Sequence, residues 1–308
     1  MPYLVLLVYF ATRVTSAITV KSNSRSFSVY KSTGSFLYII ETSLFSLFFY
    51  WALNGFKLSV NPTVTLYAAI YGAIVVCSLT ISIFVYNYGS LAMVNFITST
   101  VSLISAMLSG MILFDEVLTP DKLLRLGLMF VCTVIILLGA RKNAPHPTDT
   151  EQKKRKGVHP LALILPALTA ILGTGTSVLI KSYSGASLST DSNSLFFMTN
   201  VFSFAYSIPI IFLTMRKNKV SPREIVQICA DKRSAIALAT TAIGSIQAIA
   251  TALLLEAMDV AVYTPVTNAI GFIALAIATP IVREKLDRYT VCATIVSVLS
   301  IILPVVLF

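Results

Sequence analysis

Charged side chains are scarce in this sequence. Asp, Glu, Lys and Arg make up 12% of its 308 residues, about half the share a soluble domain carries. Histidine is scarcer still: the 2 histidines, His146 and His159, fall in one polar stretch and offer no ligand set for zinc. The 4 cysteines, Cys77, Cys132, Cys229 and Cys292, are scattered without a close pair. Three of them lie in apolar runs and read as small packing residues. There is no glycine-rich nucleotide loop, no nucleophile elbow and no metalloprotease helix, so no enzyme chemistry and no cofactor are implied. The N-terminus, MPYLVLLVYF, has neither a basic n-region nor a small-residue cleavage site, and it reads as a retained first span. The net charge of +10 arises from 23 Lys and Arg against 13 Asp and Glu. Those cations sit in loops, as membrane topology requires, and nucleic acid is not an expected partner.

What the sequence does have is apolar length. Hydrophobic residues make up 56% of it and the mean hydropathy is +0.84. Apolar stretches of about 18 to 22 residues recur along nearly the whole chain, each able to cross roughly 30 Å of hydrocarbon as a helix. Barrel strands would be shorter and would alternate in polarity. The expected fold is therefore an all-α membrane protein with ten transmembrane helices, over 3–20, 34–53, 63–85, 91–113, 122–140, 160–180, 193–214, 234–255, 260–282 and 289–308. Two connections are long. Residues 141–159 form a polar linker, and residues 215–234 hold Ser221, Pro222 and Glu224 at the spacing of a capping box, which predicts a short surface helix. About 18 Lys and Arg fall in the loops after the odd-numbered spans and about four on the other side, which places both termini outside the cytoplasm.

The two halves of the chain repeat. Sliding one over the other by roughly 160 to 169 residues sets TSAITVKS, Thr15 to Ser22, on TSVLIKS, Thr176 to Ser182, so that Lys21 meets Lys181. The same shift sets FDEVL, Phe114 to Leu118, on VREKL, Val282 to Leu286, so that Glu116 meets Glu284. Residues 1–140 and 160–308 each hold five spans. An odd number inserts the second copy upside down, as in secondary transporters. Asp115 and Glu116 read as punctuation: acids that end span four and meet the free N–H groups of the next helix start. Glu284 and Asp287 do the same before span ten. Glu256 and Asp259, in a very short turn, read as solvated.

Ten spans, a five-plus-five repeat and an acid-leucine turn before the last span of each half resemble the drug/metabolite transporter superfamily, and within it the EamA-type transporters. In place of that family's usual Gly-Glu, this chain has Asp115-Glu116 and Arg283-Glu284. The resemblance implies a central cavity between the halves and alternating-access movement of a small organic metabolite, amino-acid-like or similar, as an exporter in a bacterial-type cytoplasmic membrane. It also implies cytoplasmic termini, the reverse of the charge count.

Ionisable groups inside a bilayer are costly and need a reason. Arg13 in span one and Glu41 in span two fall at similar depth. They read either as a static ion pair or as a site where Arg13 takes a substrate anion and Glu41 a proton or a substrate amine. Asn95, Asn200, Gln247 and Asn268 add amides on spans four, seven, eight and nine. Singly, each serves to bond a neighbouring helix; together they read as the lining of a substrate site. Pro209, Pro265 and Pro280 are expected to interrupt spans seven and nine. The expected partners are a small-molecule substrate, with protons as a coupling ion, and membrane lipids. A lipid-carrier flippase, a nucleotide-sugar exchanger and a membrane scaffold that does not transport are the alternatives.

Overall fold

The structure, a computed structural model, describes residues 2–27, 31–58, 60–88, 91–143, 160–185, 192–221, 223–224, 232–281 and 288–307. Among these the chain forms ten long helices and no strand. They are α1 (Pro2–Phe27), α2 (Lys31–Leu53), α3 (Pro62–Tyr88), α4 (Leu91–Phe114), α5 (Pro120–Asn143), α6 (Leu161–Gly185), α7 (Ser192–Asn218), α8 (Lys232–Ala257), α9 (Val260–Ile281) and α10 (Arg288–Leu307). Eight of them, α2 to α9, are long and apolar enough to cross a membrane, while α1 and α10 carry shorter apolar stretches. The chain is a multi-pass helical membrane protein.

Local chemistry sets several helix starts. Asn61 caps α3, its Oδ1 accepting from the Val64 amide at 2.8 Å, and Pro62 follows where a missing N–H does no harm. Pro120 likewise opens α5 after Thr119, whose carbonyl accepts from the Leu123 amide and whose hydroxyl donates to the Asp121 carboxylate. The capping box forms as expected: the Ser221 amide reaches Glu224 Oε2 at 2.8 Å and the Glu224 amide returns to Ser221 Oγ at 3.3 Å. Most of the helix predicted beyond it lies outside the described residues, as do Glu284, Asp287 and nearly all of the 141–159 linker. None of Pro209, Pro265 and Pro280 interrupts its helix: α7 continues to Asn218 and α9 to Ile281, because a single absent N–H is tolerated when packing holds the turn. α1 continues to Phe27 rather than ending near residue 20.

The chain packs as two compact units, residues 1–80 with 175–258, and residues 81–174 with 259–308. Each draws helices from both sequence halves, so a unit is a relation of contact and a half is a relation of sequence. In the first unit α2 lies along α7, with Phe36, Leu37 and Ile39 buried against Ile211. α8 packs on α1 and α2. α3 reaches α7 through Gly72, where an added Cβ would stand 2.9 Å from Phe202 Cβ and 3.1 Å from the Thr199 carbonyl oxygen. Thr199, Ser203 and Ser207, buried at successive turns of α7, keep that helix thin enough for such an approach. In the second unit α10 lies along α5, and α9 packs on α4, α5 and α10 around Leu103, Met129, Cys132 and Ala269.

These contacts separate glycines that are needed from glycines that are not. Gly72→Ala is expected to lower stability by about 1–3 kcal/mol, the usual effect of overpacking a tight contact. Gly244→Ala, in a helix with nothing within 4 Å of the new methyl, is expected to be neutral or to stabilise by up to about 1 kcal/mol. Thermal unfolding of both variants in detergent, beside the parent protein, checks the contrast.

Candidate functional site

Glu41 lies near the middle of α2 and is buried, 7% exposed. α2 packs on both α7 and α8, and those two also touch each other. Asn200 lies on α7 and Gln247 on α8, both half-buried, on the two helices that pack against α2. Asn200 donates one amide hydrogen to the Phe196 carbonyl of its own helix at 2.8 Å, leaving its carbonyl oxygen and second hydrogen for other groups. Arg13 is not brought to Glu41. It is exposed on α1, a helix that packs chiefly on α8, so the ion pair expected between them does not form. Helix α4 and α9 hold the other two candidates in the second unit. Asn268 donates to Ser102 Oγ at 3.3 Å, a bond between those helices. The Asn95 side chain lies outside the described residues.

Sequence reasoning missed a polar seam between α2 and α8. Ser46 Oγ and Ser245 Oγ stand 3.4 Å apart, and the Tyr50 hydroxyl donates to the Ser245 carbonyl at 3.2 Å. The Tyr50 ring lies 5.4 Å from that of Phe196, which in turn meets Tyr71 edge-on at 6.3 Å. The signal was present: Ser43, Ser46 and Tyr50 recur at i, i+3 and i+7, one face of a helix. Residues 41 and 50 are nine apart, about 13 Å along the axis and half a turn around it. Glu41 therefore faces away from the seam. The second unit has a matching link of hydroxyls, Ser105 to Thr174 at 3.0 Å.

The acids at the end of α4 do more than punctuate. Asp115 adopts a left-handed φ of 51°, which turns the chain back, and the Glu116 amide bonds to the Gly110 carbonyl at 3.0 Å. The Glu116 carboxylate then takes two amides of α9, Val260 to Oε1 at 2.8 Å and Ala261 to Oε2 at 3.0 Å. It caps span nine, not the next helix start, because the α9 N-terminus lies within its reach and Thr119 and Asp121 already occupy the start of α5. Asp259 is not simply solvated. Its carboxylate pairs at 2.6 Å with Lys122 Nζ, a buried ammonium that also donates to the Val117 carbonyl. Glu256 is exposed, as expected. Lys181, half-buried, donates to the Met258 carbonyl at 3.3 Å; the Lys21 side chain is outside the described residues.

Arg125, unremarked in the sequence, has a structural task. Pro304 has no N–H, so the Ser300 carbonyl of α10 has no donor one turn ahead. The Arg125 guanidinium on α5 points at that carbonyl and at Ile301, at 3.5 and 3.4 Å. Among the described residues no group of three or more His, Cys, Asp or Glu gathers as a metal site.

Glu116→Gln is expected to destabilise the protein by about 1–3 kcal/mol, since the amide turns a donor toward a helix start that offers only donors. Asp115→Gly, which suits the left-handed φ, is expected to hold or raise stability. Denaturant unfolding in detergent checks both. Arg125→Met and Pro304→Ala are expected to be non-additive by about 1 kcal/mol, because restoring the Ser300 partner removes the task Arg125 performs; a double-mutant cycle on melting curves measures it.

No family model matches the chain, and no curated protein matches it. A solved structure described as "Crystal structure of protein" superposes with a TM-score of 0.60 at 14% identity, covering 97% of this chain and 94% of its own. At that identity the likeness is one of fold, and it extends over essentially the full length of both chains.

Proposed function

We propose that this chain is a secondary transporter of the EamA-type drug/metabolite transporter kind, with ten membrane-spanning helices in two inverted five-helix repeats. It moves a small organic metabolite across a cytoplasmic membrane by alternating access. The observation that carries the reading is Glu41: a carboxylate buried near the middle of a helix long and apolar enough to cross a bilayer. A charge at that depth costs at least a few kcal/mol and is kept where it carries an ion, a proton or a substrate. α2, α7 and α8 supply the amides of Asn200 and Gln247 on neighbouring helices, neutral groups able to orient a polar solute without a fixed charge of their own. The cycle this chemistry supports is simple. Glu41 takes a proton or the substrate amine while the site faces one side, and exchanges it while the site faces the other. Arg13, exposed on α1, is a single cation where a nucleotide sugar should need several, which disfavours that substrate.

The test is a thermal-shift screen of the purified protein against amino acids, nucleosides, nucleotide sugars, lipid phosphates and organic cations at an acidic and an alkaline pH. A ligand that binds only the folded state adds about 2.7 kcal/mol of stability at a hundred times its Kd. The expected result is a hit among small amine-bearing solutes whose strength depends on pH, with both the hit and the pH dependence lost in Glu41→Gln. A hit confined to lipid phosphates moves the assignment to a flippase. A folded protein with no hit, and with proteoliposome uptake of the same solutes absent, moves it to a scaffold.

A further inference from the structure

We infer that the cap at the end of α2, built from Trp51, Leu53, Phe56 and Val60, is an anchor seated in the lipid headgroup boundary, independent of what the protein transports. The cap begins as a helix stop. The Gly55 amide bonds to the Ala52 carbonyl and the Phe56 amide to the Trp51 carbonyl, at 3.1 and 2.9 Å. Gly55 takes the left-handed φ of 59° that this stop requires. The stop ordinarily brings together the side chains at the two ends of its longer bond. Here those are Phe56 and Trp51, whose rings meet edge to face at 5.0 Å, with the indole N–H donating to the Phe56 carbonyl at 3.1 Å. Asn54 fastens the far side, its amide bonded to the Lys57 carbonyl at 2.6 Å.

Two features go beyond a helix stop. Phe56 is itself left-handed, at φ 63°, a conformation that strains a bulky side chain. Strain of that kind persists where surrounding contacts hold it, yet both rings face outward: Trp51 is 41% and Phe56 58% exposed, with Leu53 and Val60 exposed beside them. The cap's own contacts hold it, and among the described residues its aromatic face is left exposed rather than packed. The second feature is continuity. Leu44, Phe48 and Trp51, all exposed, fall at i, i+4 and i+7 on one face of α2. On a membrane-spanning helix an exposed apolar stripe faces hydrocarbon, and this one runs straight into the cap. α2 has 23 residues, about 34 Å of rise, so its end lies where the hydrocarbon ends. The exposed Lys57 stands just past the rings, placed for lipid phosphate. An aromatic pair with a cation beyond it, at the end of a lipid-facing stripe, is the chemistry of the bilayer interface.

Trp51 is the protein's only tryptophan, so the unmodified protein reports on its own cap. The experiment reconstitutes it in phosphatidylcholine–phosphatidylglycerol vesicles. Tryptophan emission is measured with nitroxide-labelled lipid carrying the label high or low on the acyl chain, and with aqueous iodide. The expected result is emission shifted to the blue of free tryptophan, quenched more by the high label than by the low one, and little affected by iodide. Dominant quenching by iodide places the cap in water and overturns the inference. Dominant quenching by the low label, or blue emission that no quencher reaches, also overturns it. The first would put the rings deep in hydrocarbon, the second beneath another protein surface.

Discussion

Hydrocarbon offers no hydrogen bonds, and that one condition governs nearly every polar contact in this protein. A backbone group that loses its helical partner inside the bilayer must find another within the chain. Pro304 creates such a loss at Ser300, and Arg125, a residue that looks anomalous in an apolar helix, is what meets it. A helix start creates four such losses. At α9 two of them are met by a carboxylate more than a hundred residues earlier in the chain, Glu116. Side chains obey the same rule. Thr42, Thr65, Thr80, Thr133 and Ser207 each return their hydroxyl to a carbonyl one turn back, and Asn200 does so with an amide. Polar residues in these helices are therefore mostly satisfied locally and cost little.

Against that background the groups that reach across helices carry more meaning. Ser46 with Ser245, Tyr50 with the Ser245 carbonyl, Asn218 with Thr33 and Asn268 with Ser102 each tie two helices. Links of this sort are worth about 1 kcal/mol apiece in a bilayer, enough to fix which faces meet but not to hold a bundle. The holding comes from close approach, which is why Gly72 faces a run of small α7 residues and why Gly110 faces the Glu116 carboxylate, with no room at either place for a methyl group. Glu41 differs in kind: it is an acid rather than an amide or hydroxyl, it is buried at the centre of its helix, and its face of α2 is not the one that carries the Ser46–Tyr50 seam.

The helices were legible in the sequence because run length alone distinguishes a membrane helix, and most boundaries fell within a few residues. α1 was the exception. Hydropathy reports where the hydrocarbon ends, whereas a helix ends where its backbone ladder does, and α1 continues through a polar stretch to Phe27. The candidate site was legible only in part. Glu41, Asn200 and Gln247 could be picked out as polar groups in apolar runs, and the fold groups their helices. Arg13 could be assigned to a depth but not to a face, and face is what keeps it from Glu41. Which helix an acid caps is a long-range fact. The sequence shows Glu116 ending one helix just before another begins, and nothing in it points 144 positions ahead. That Arg125 and Pro304 answer each other is visible only once α5 and α10 lie together.

The turn between α8 and α9 brings these threads together. The chain leaves one compact unit at Met258 and enters the other at Asp259, and each unit holds its own end of that step. On one side Lys181, from α6, binds the Met258 carbonyl. On the other, Lys122 pairs with the Asp259 carboxylate and Glu116 takes the Val260 and Ala261 amides. Four successive residues are thus fixed by three charged side chains. Each has a charged partner, at a place where the backbone of a short turn would otherwise present several unmet groups. A turn at the end of an apolar run needs its free N–H and C=O groups met by whatever charge the chain can bring there, and here Lys181, Lys122 and Glu116 meet them.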